Sequence, residues 1–270
     1  MKSSKSKHPV LKKLSDMEIS ESLDQVQSGG GKDIPNKLDH RFQNKPPGNR
    51  DLLEKGAILQ RDGTYAIAPH IPGGIITDPD LLIKIATVAK KYNLPAVKIT
   101  SAQRIALVGL KENEIDSAWA DLGMDPGAAI GLCVRRIKFC PGTTFCKRGL
   151  QDSVGLGGKL DQKYHGMSLP NKFKISVSGC PRKCMDTLIN DFGFMGTAKG
   201  WTVYVGGSGG INPRFAEILA ENVTEEEGIQ LLDRSIEWYK ANAKTNERIG
   251  STIERIGFDK FKSAVTGPRH

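Results

Sequence analysis

From about residue 51 onward, apolar positions recur at helical and strand periods, and the chain reads as alternating elements of both kinds. Asp78-Pro79 opens a helix, with Asp as the cap and Pro at the first position, where its missing N–H goes unused. Leu81, Leu82, Ile85, Val88, Ala89 and Tyr92 mark the apolar stripe of that helix. Ala96 to Thr100 and Ile105 to Leu110 read as strands, joined through Ser101-Ala102-Gln103-Arg104 as a pair or as one bent strand. Glu114 to Leu122 is a second helix with Ile115, Ala118, Trp119 and Leu122 on one face. Residues 51–128 therefore form an α+β unit.

A Gly-rich stretch, GMDPGAAIGL, leads into a second unit over residues 129–270. Gln151 to Tyr164 reads as a helix, and Lys172 to Ser178 as a strand turning Phe173, Ile175 and Val177 inward. Trp201 to Val205 is another strand, Gly206 to Gly210 a turn, and Pro213 to Glu221 a short helix. Thr224 and Glu227 form a capping box for a helix through Ala243, with Ile229, Leu232, Ile236 and Tyr239 toward the core. Residues 1–50 differ in kind. They are polar, contain Gly29-Gly30-Gly31, and read as a flexible arm with one short amphipathic patch (Val10, Leu11, Leu14, Met17, Ile19), placed to wrap a neighbour.

The 270 residues carry 39 Lys and Arg against 30 Asp and Glu, a formal charge of +9. Such a balance first suggests nucleic acid. Here the cations are spread along the chain without a recognition motif, so no nucleic-acid partner is expected. Cationic walls also suit a small anion or an acidic partner, although a solvated surface accounts for most of the charge. Apolar runs are too short to span a membrane, and no apolar stretch follows the basic MKSSKSKHPVLKK. No membrane partner and a cytoplasmic location are expected.

Four of the five cysteines are the main chemical signal: Cys140 and Cys146 in CPGTTFC, then Cys180 and Cys184 in GCPRKC. Paired thiols at short spacings point to a metal centre rather than a disulfide framework. C-x5-C followed far away by C-x3-C differs from zinc knuckles and from the run of cysteines in small ferredoxins. Four soft ligands on two loops suit a [4Fe-4S] cube, and the adjacent Pro and Gly let the backbone fold closely around it. Buried free cysteines are the plain alternative, which the tight pairs disfavour. Cys133 stands outside the pattern as a core thiol.

CPGTTFCKRGLQDSVGLG and KFKISVSGCPRKC resemble the sirohaem-[4Fe-4S] sulfite and nitrite reductase family. TYAIAPHIPGGIITDPDLLIKIATVAKKYN, VKITSAQRIALVG, GWTVYVGGSGGINPR and the R-x-G-x-x-I-E-R-x-G pattern from Arg248 to Gly257 extend the likeness over about residues 55 to 262. Its small assimilatory-type sulfite reductases and the sirohaem module of NADH-dependent nitrite reductase are the nearest in pattern. The resemblance implies a ferredoxin-like half-domain followed by a sirohaem/[4Fe-4S] domain, with [4Fe-4S] and sirohaem as cofactors. It implies six-electron reduction of sulfite to sulfide. The alternatives are nitrite reduction to ammonia and a non-catalytic electron-transfer subunit.

By motif position, Cys184 is the ligand that the cluster shares with sirohaem iron. Arg136, Lys172 and Lys174 (in LPNKFK) match the family's substrate-facing cations, and alternation puts the two lysines on one strand face. Relatives carry an arginine before the glutamine where this chain has Ala102, and Arg104, on the same strand face, takes its place. Gln103, Arg135, Thr143, Thr144, Lys147, Arg148, Asn212 and Arg214, beside the family motifs, are the candidates for sirohaem carboxylates, and none of the five histidines is assigned to metal. No G-x-G-x-x-G follows a strand. Electrons are thus expected from a ferredoxin or a separate reductase subunit. Larger members carry two copies of this unit, so one copy implies a homodimer or a hetero-oligomer.

Overall fold

Four short strands build the first sheet of the computed structural model, which describes residues 50–124 and 126–267; the expected N-terminal arm lies outside them. Strands β1 (Ala57–Leu59), β2 (Tyr65–Ile67), β3 (Ala96–Ile99) and β4 (Ile105–Leu110) pair antiparallel in the order β1-β2-β4-β3. Helices α1 (Asp80–Lys91) and α2 (Ile115–Leu122) pack on it around Tyr65, Ile67, Ile85, Val88, Leu107, Ile115 and Leu122. β1 and β2 were not anticipated, because three residues are too few to show a period.

Two expectations shift here. The α1 helix starts at Asp80, with the Asp78 carboxylate accepting the Asp80 N–H at 3.0 Å; Ile85 and Val88 are buried, but Leu82 stays 48% exposed. The strands around residue 102 are a hairpin, not one bent strand, with Ile99 opposite Ile105. Gln103 donates its N–H to the Thr100 carbonyl and sits at φ 59. Ala102 therefore lies in the turn, so it shares no strand face with Arg104.

The second sheet has the order β5-β6-β7-β8-β9. β5 (Val134–Phe139), β6 (Phe173–Ser178) and β7 (Phe192–Thr197) run parallel; β8 (Gly200–Val205) and β9 (Glu217–Val223) add antiparallel. A single turn, α3 (Gly142–Phe145), and helix α4 (Ser153–Tyr164) make the crossover that parallel β5 and β6 require. Helices α5 (Glu225–Asn242), α6 (Ile249–Ile256) and α7 (Phe258–Thr266) complete the unit. The expected capping box holds α5, Thr224 accepting the Glu227 N–H and the Glu227 carboxylate accepting the Thr224 N–H.

Residues 213–221 were expected to be helical, and Glu217–Val223 is instead an edge strand. Ala, Glu and Leu favour a helix locally. The open edge of β8, whose Trp201, Val203 and Val205 are buried, offers ladder partners that override that preference.

Alternation sorts the sheet into two faces. Ile137, Phe139, Ile175, Val177, Phe192 and Phe194 pack with Leu156, Leu160, Leu232 and Ile236 in one core. Arg136, Lys138, Lys174, Ser176 and Ser178 occupy the alternate positions. Thr187, Asn190 and Asp191, from the segment entering β7, are buried with that polar set. Among the described residues no helix is long and apolar enough to cross a membrane.

Candidate iron–sulfur centre and anion pocket

Parallel pairing of β5 with β6 sets Phe139 opposite Val177, so both cysteine loops leave the sheet at the same carboxyl edge. Ligand sites in open parallel sheets gather at such edges. Backbone bonds sew the loops together. The Cys140 N–H donates to Val177 O at 3.1 Å, and the Leu150 and Gln151 N–H groups donate to Gly179 O at 2.8 and 3.1 Å. Only glycine permits this approach: a Cβ on Gly149 would lie 2.4 Å from the Gly142 carbonyl carbon, and one on Gly179 2.9 Å from Gly142 Cα.

Cys140 and Cys180 are buried, Cys146 is half-buried and Cys184 is exposed; Cys133 is a buried free thiol, as expected. Cys140 Sγ accepts the Gly179 N–H at 3.1 Å, which ties the first cysteine to the second loop. Among the described residues no three His, Cys, Asp or Glu side chains crowd around one ion position. A single zinc, with Zn–S bonds of about 2.3 Å, needs its thiolates about 3.8 Å apart. A [4Fe-4S] cube would take one thiolate at each of its four irons and so a wider set. Two thiol pairs on two interlocked loops fit that wider group.

Along the polar face, Arg136 on β5 pairs in register with Lys174 on β6. Arg136 Nη2 donates to Asn190 Oδ1 at 3.2 Å, Nη1 to Ser101 O at 3.4 Å, and its buried Nε has no partner. Burial pulls the Arg136 guanidinium below its usual value. Burial, then Arg136 and Arg248, push the Lys174 ammonium down to about 8. Asp191 balances the cluster. Its carboxylate accepts Arg248 Nε at 2.9 Å and Nη2 at 2.6 Å, together with the Lys174 N–H at 2.9 Å. Beside them buried Lys138 donates to Asp186 at 2.5 Å. Lys172 is half-buried, just before β6, and its charge acts on Lys174.

At about 3.3 Å per residue, Lys174 lies roughly 20 Å along the backbone from Cys180, and Arg136 roughly 13 Å from Cys140. The cations thus lie on the strands and the cysteines on the loops that follow them. The segment after Cys184 links the two: Met185 N–H donates to Ser178 Oγ at 3.2 Å, and Asp191 meets Lys174.

The other expected site residues divide. Arg104 is only 6% exposed, and its Nη2 donates to the carbonyls of Arg135 and Ala128, bracing the first unit against β5. Arg135 Nε donates to Gly131 O at 2.8 Å. Gln103 joins the backbone of Phe139. Thr143, Thr144, Lys147 and Arg148 are exposed on the first cysteine loop, with Thr144 Oγ1 3.5 Å from Asp152. Asn212 is exposed, and Arg214 is paired with Glu254. Gln103 and Arg104 also line a cavity of about 330 Å³ with Ile71, Ile76, Leu82 and Ile99.

Sequence reasoning missed three elements of this site: the Arg248–Asp191 pair, Lys138 with Asp186, and a histidine stack at the joint between the units. There His70 and His165 lie 3.6 Å apart face to face, and His70 Nε2 is 2.7 Å from Asp161 Oδ2. Arg248 stood in a noted motif, but nothing local marked its partner.

Residues 130–269 match the family model described as nitrite and sulphite reductase 4Fe-4S domain, and residues 58–124 match its ferredoxin-like half domain. An assimilatory-type sulfite reductase of Nitratidesulfovibrio vulgaris is 43% identical, with 79% of this chain and 98% of that protein covered. A nitrite reductase [NAD(P)H] of Bacillus subtilis is 40% identical over 78% of this chain, and the nitrite reductase (NADH) large subunit of Escherichia coli is 38% identical over 77%. The chain spans only about a quarter of those two proteins, 26% and 25%. In fold it is similar to a dissimilatory sulfite reductase I, at a TM-score of 0.68 and 17% identity over 76% of this chain and 72% of that one. The NirA protein of Mycobacterium tuberculosis gives a TM-score of 0.66 at 18% identity, covering 92% of this chain and 50% of that one.

Proposed function

The chain belongs to the nitrite and sulphite reductase family, and from that premise we propose that it reduces sulfite to sulfide with electrons from an external low-potential protein. It is an oxidoreductase of the sirohaem and [4Fe-4S] type. When bound, these groups supply the electron relay and the iron at which the anion is reduced.

In this reading Cys140, Cys146, Cys180 and Cys184 hold the cluster. Cys184, the last of the motif and the exposed one, would be the cysteine that also holds sirohaem. Arg136, Lys172 and Lys174 hold the substrate anion. The observation that carries this is the registered Arg136–Lys174 pair, two cations desolvated on one sheet face, with the buried Asp191 carboxylate engaged by Arg248. Fixed cations in a dry site stabilise oxyanion charge, and an ammonium near pH 8 can also give up a proton. Reduction of hydrogensulfite to hydrosulfide takes six electrons and six protons and releases three waters, so both services are needed.

Sulfite is favoured because the sulfite reductase relative matches this chain over 98% of its own length, whereas the nitrite reductases match over about a quarter. Nitrite is the second reading, supported by their 38–40% identity. The donor is a ferredoxin or a reductase subunit whose acidic face suits the +9 chain. Measuring kcat/KM for sulfite and nitrite with reduced viologen tests the substrate. A higher value for sulfite is expected, and a higher value for nitrite overturns it.

A further inference from the structure

Gln103 sits at the tip of the β3–β4 hairpin with φ 59, a left-handed conformation uncommon for a residue with a side chain. Such strain persists where surrounding contacts over-determine it, and here the side-chain hydrogen bonds run to the residues flanking the cysteine loops. Gln103 Oε1 accepts the Phe139 N–H at 3.1 Å, and Nε2 donates to Phe139 O at 3.1 Å and lies 3.5 Å from Met185 Sδ. Phe139 is the residue before Cys140; Met185 is the residue after Cys184. One amide from the first unit therefore reaches both ends of the four-cysteine set.

The surroundings hold this clamp from both sides. A Cβ on Gly73 would enter the Phe139 ring at 2.1 Å, and one on Gly157 would meet that ring at 2.3 Å. Gly74 closes on Gln103 itself, where a Cβ would lie 3.1 Å from its Cβ. The Phe139 ring is thus gripped between the two units while its backbone is read by the glutamine. Both polar atoms of the Gln103 side chain are used in this way, which leaves the amide no free group for a tetrapyrrole carboxylate.

We propose that Gln103 is a positioning residue for the iron–sulfur centre, registering the Cys140 loop against the Cys184 loop without touching the cofactor. The proposal rests on the cluster-binding role of those cysteines and on no choice of substrate. Outer contacts that orient metal ligands commonly change metal retention by about tenfold to a hundredfold when removed.

The test uses the holoenzyme and Gln103→Gly, which removes the amide while relieving the left-handed backbone. Cluster loss to an iron chelator should quicken by about tenfold or more. The EPR signal of the reduced cluster should broaden, and sirohaem per chain should stay unchanged. Met185→Leu keeps the volume and removes only the sulfur contact, so it should shift both readouts the same way by less. Wild-type chelation and line shape in both variants overturn the proposal, even if melting temperature falls, since that would be a plain structural brace. Loss of sirohaem with an intact cluster overturns it in favour of a tetrapyrrole contact. Neither readout follows turnover, so a wrong substrate assignment would leave them untouched.

Discussion

Arg136 and Lys174 stand in register on parallel neighbours β5 and β6, two cations side by side on the polar face of a sheet whose other face is core. Burial penalises both charges, and the neighbouring guanidinium of Arg136 lowers Lys174 further. The arrangement is held by Asp191, which binds Arg248 through two hydrogen bonds and accepts the backbone N–H of Lys174. This concentration of positive charge is what the proposed anion site rests on.

Lys174→Met should keep most of the stem volume and lose the cation. Reduction should slow by about tenfold to a thousandfold, the scale of losing one preorganised donor, with cofactor content unchanged. The native rate should hold below pH 8 and fall as pH rises through about 8, because the ammonium with its lowered value deprotonates there. Lys174→Arg, charged throughout, should lack that alkaline limb. Pre-steady-state rates against pH give the comparison, and an unchanged limb in the arginine variant would remove Lys174 from it.

Asp191→Asn should leave the half-buried Arg248 guanidinium without its counter-charge. Breaking one side of a buried pair costs about 3–5 kcal/mol, whereas replacing both sides can be near neutral. Denaturant unfolding should show the large loss for Asp191→Asn and a partial recovery for Asp191→Asn combined with Arg248→Met.

Acid should loosen the joint between the units. Burial, then His70, hold the His165 imidazole down at about 4, against an ordinary value of 6.5. The unfolded chain therefore takes up a proton that the folded one refuses. Stability from this group is complete above pH 6.5 and is lost as pH falls from there toward about 4. His165→Phe should flatten that part of a pH series of urea midpoints; an equally steep series would show that other groups cause the slope.

Cys184→Ser should uncouple the two metal groups, since a hydroxyl bridges soft iron sites poorly. Turnover should vanish even where cluster remains, and the spectra of the two groups should become independent. Wild-type turnover in this variant would end the shared-ligand assignment.

Local chemistry was readable in the chain wherever a few consecutive residues determine it. The Thr224–Glu227 capping box and the Phe173–Ile175–Val177 alternation both survive folding, because each acts within one turn or one strand. The stretch around Glu217 did not follow its composition. Its neighbour β8 needed an edge partner, and hydrogen bonds to a buried strand outweigh a helix preference of tenths of a kcal/mol per residue. What only the tertiary structure decided is which distant groups share one dry volume. Asp191 and Arg248 are 57 residues apart, Gln103 and Phe139 are 36 apart, and His70 and Asp161 are 91 apart. No pattern in the sequence joins these pairs. Parallel strand register and the docking of one unit on the other bring them together, and burial then makes each unpaired charge costly enough that the partner found there becomes essential.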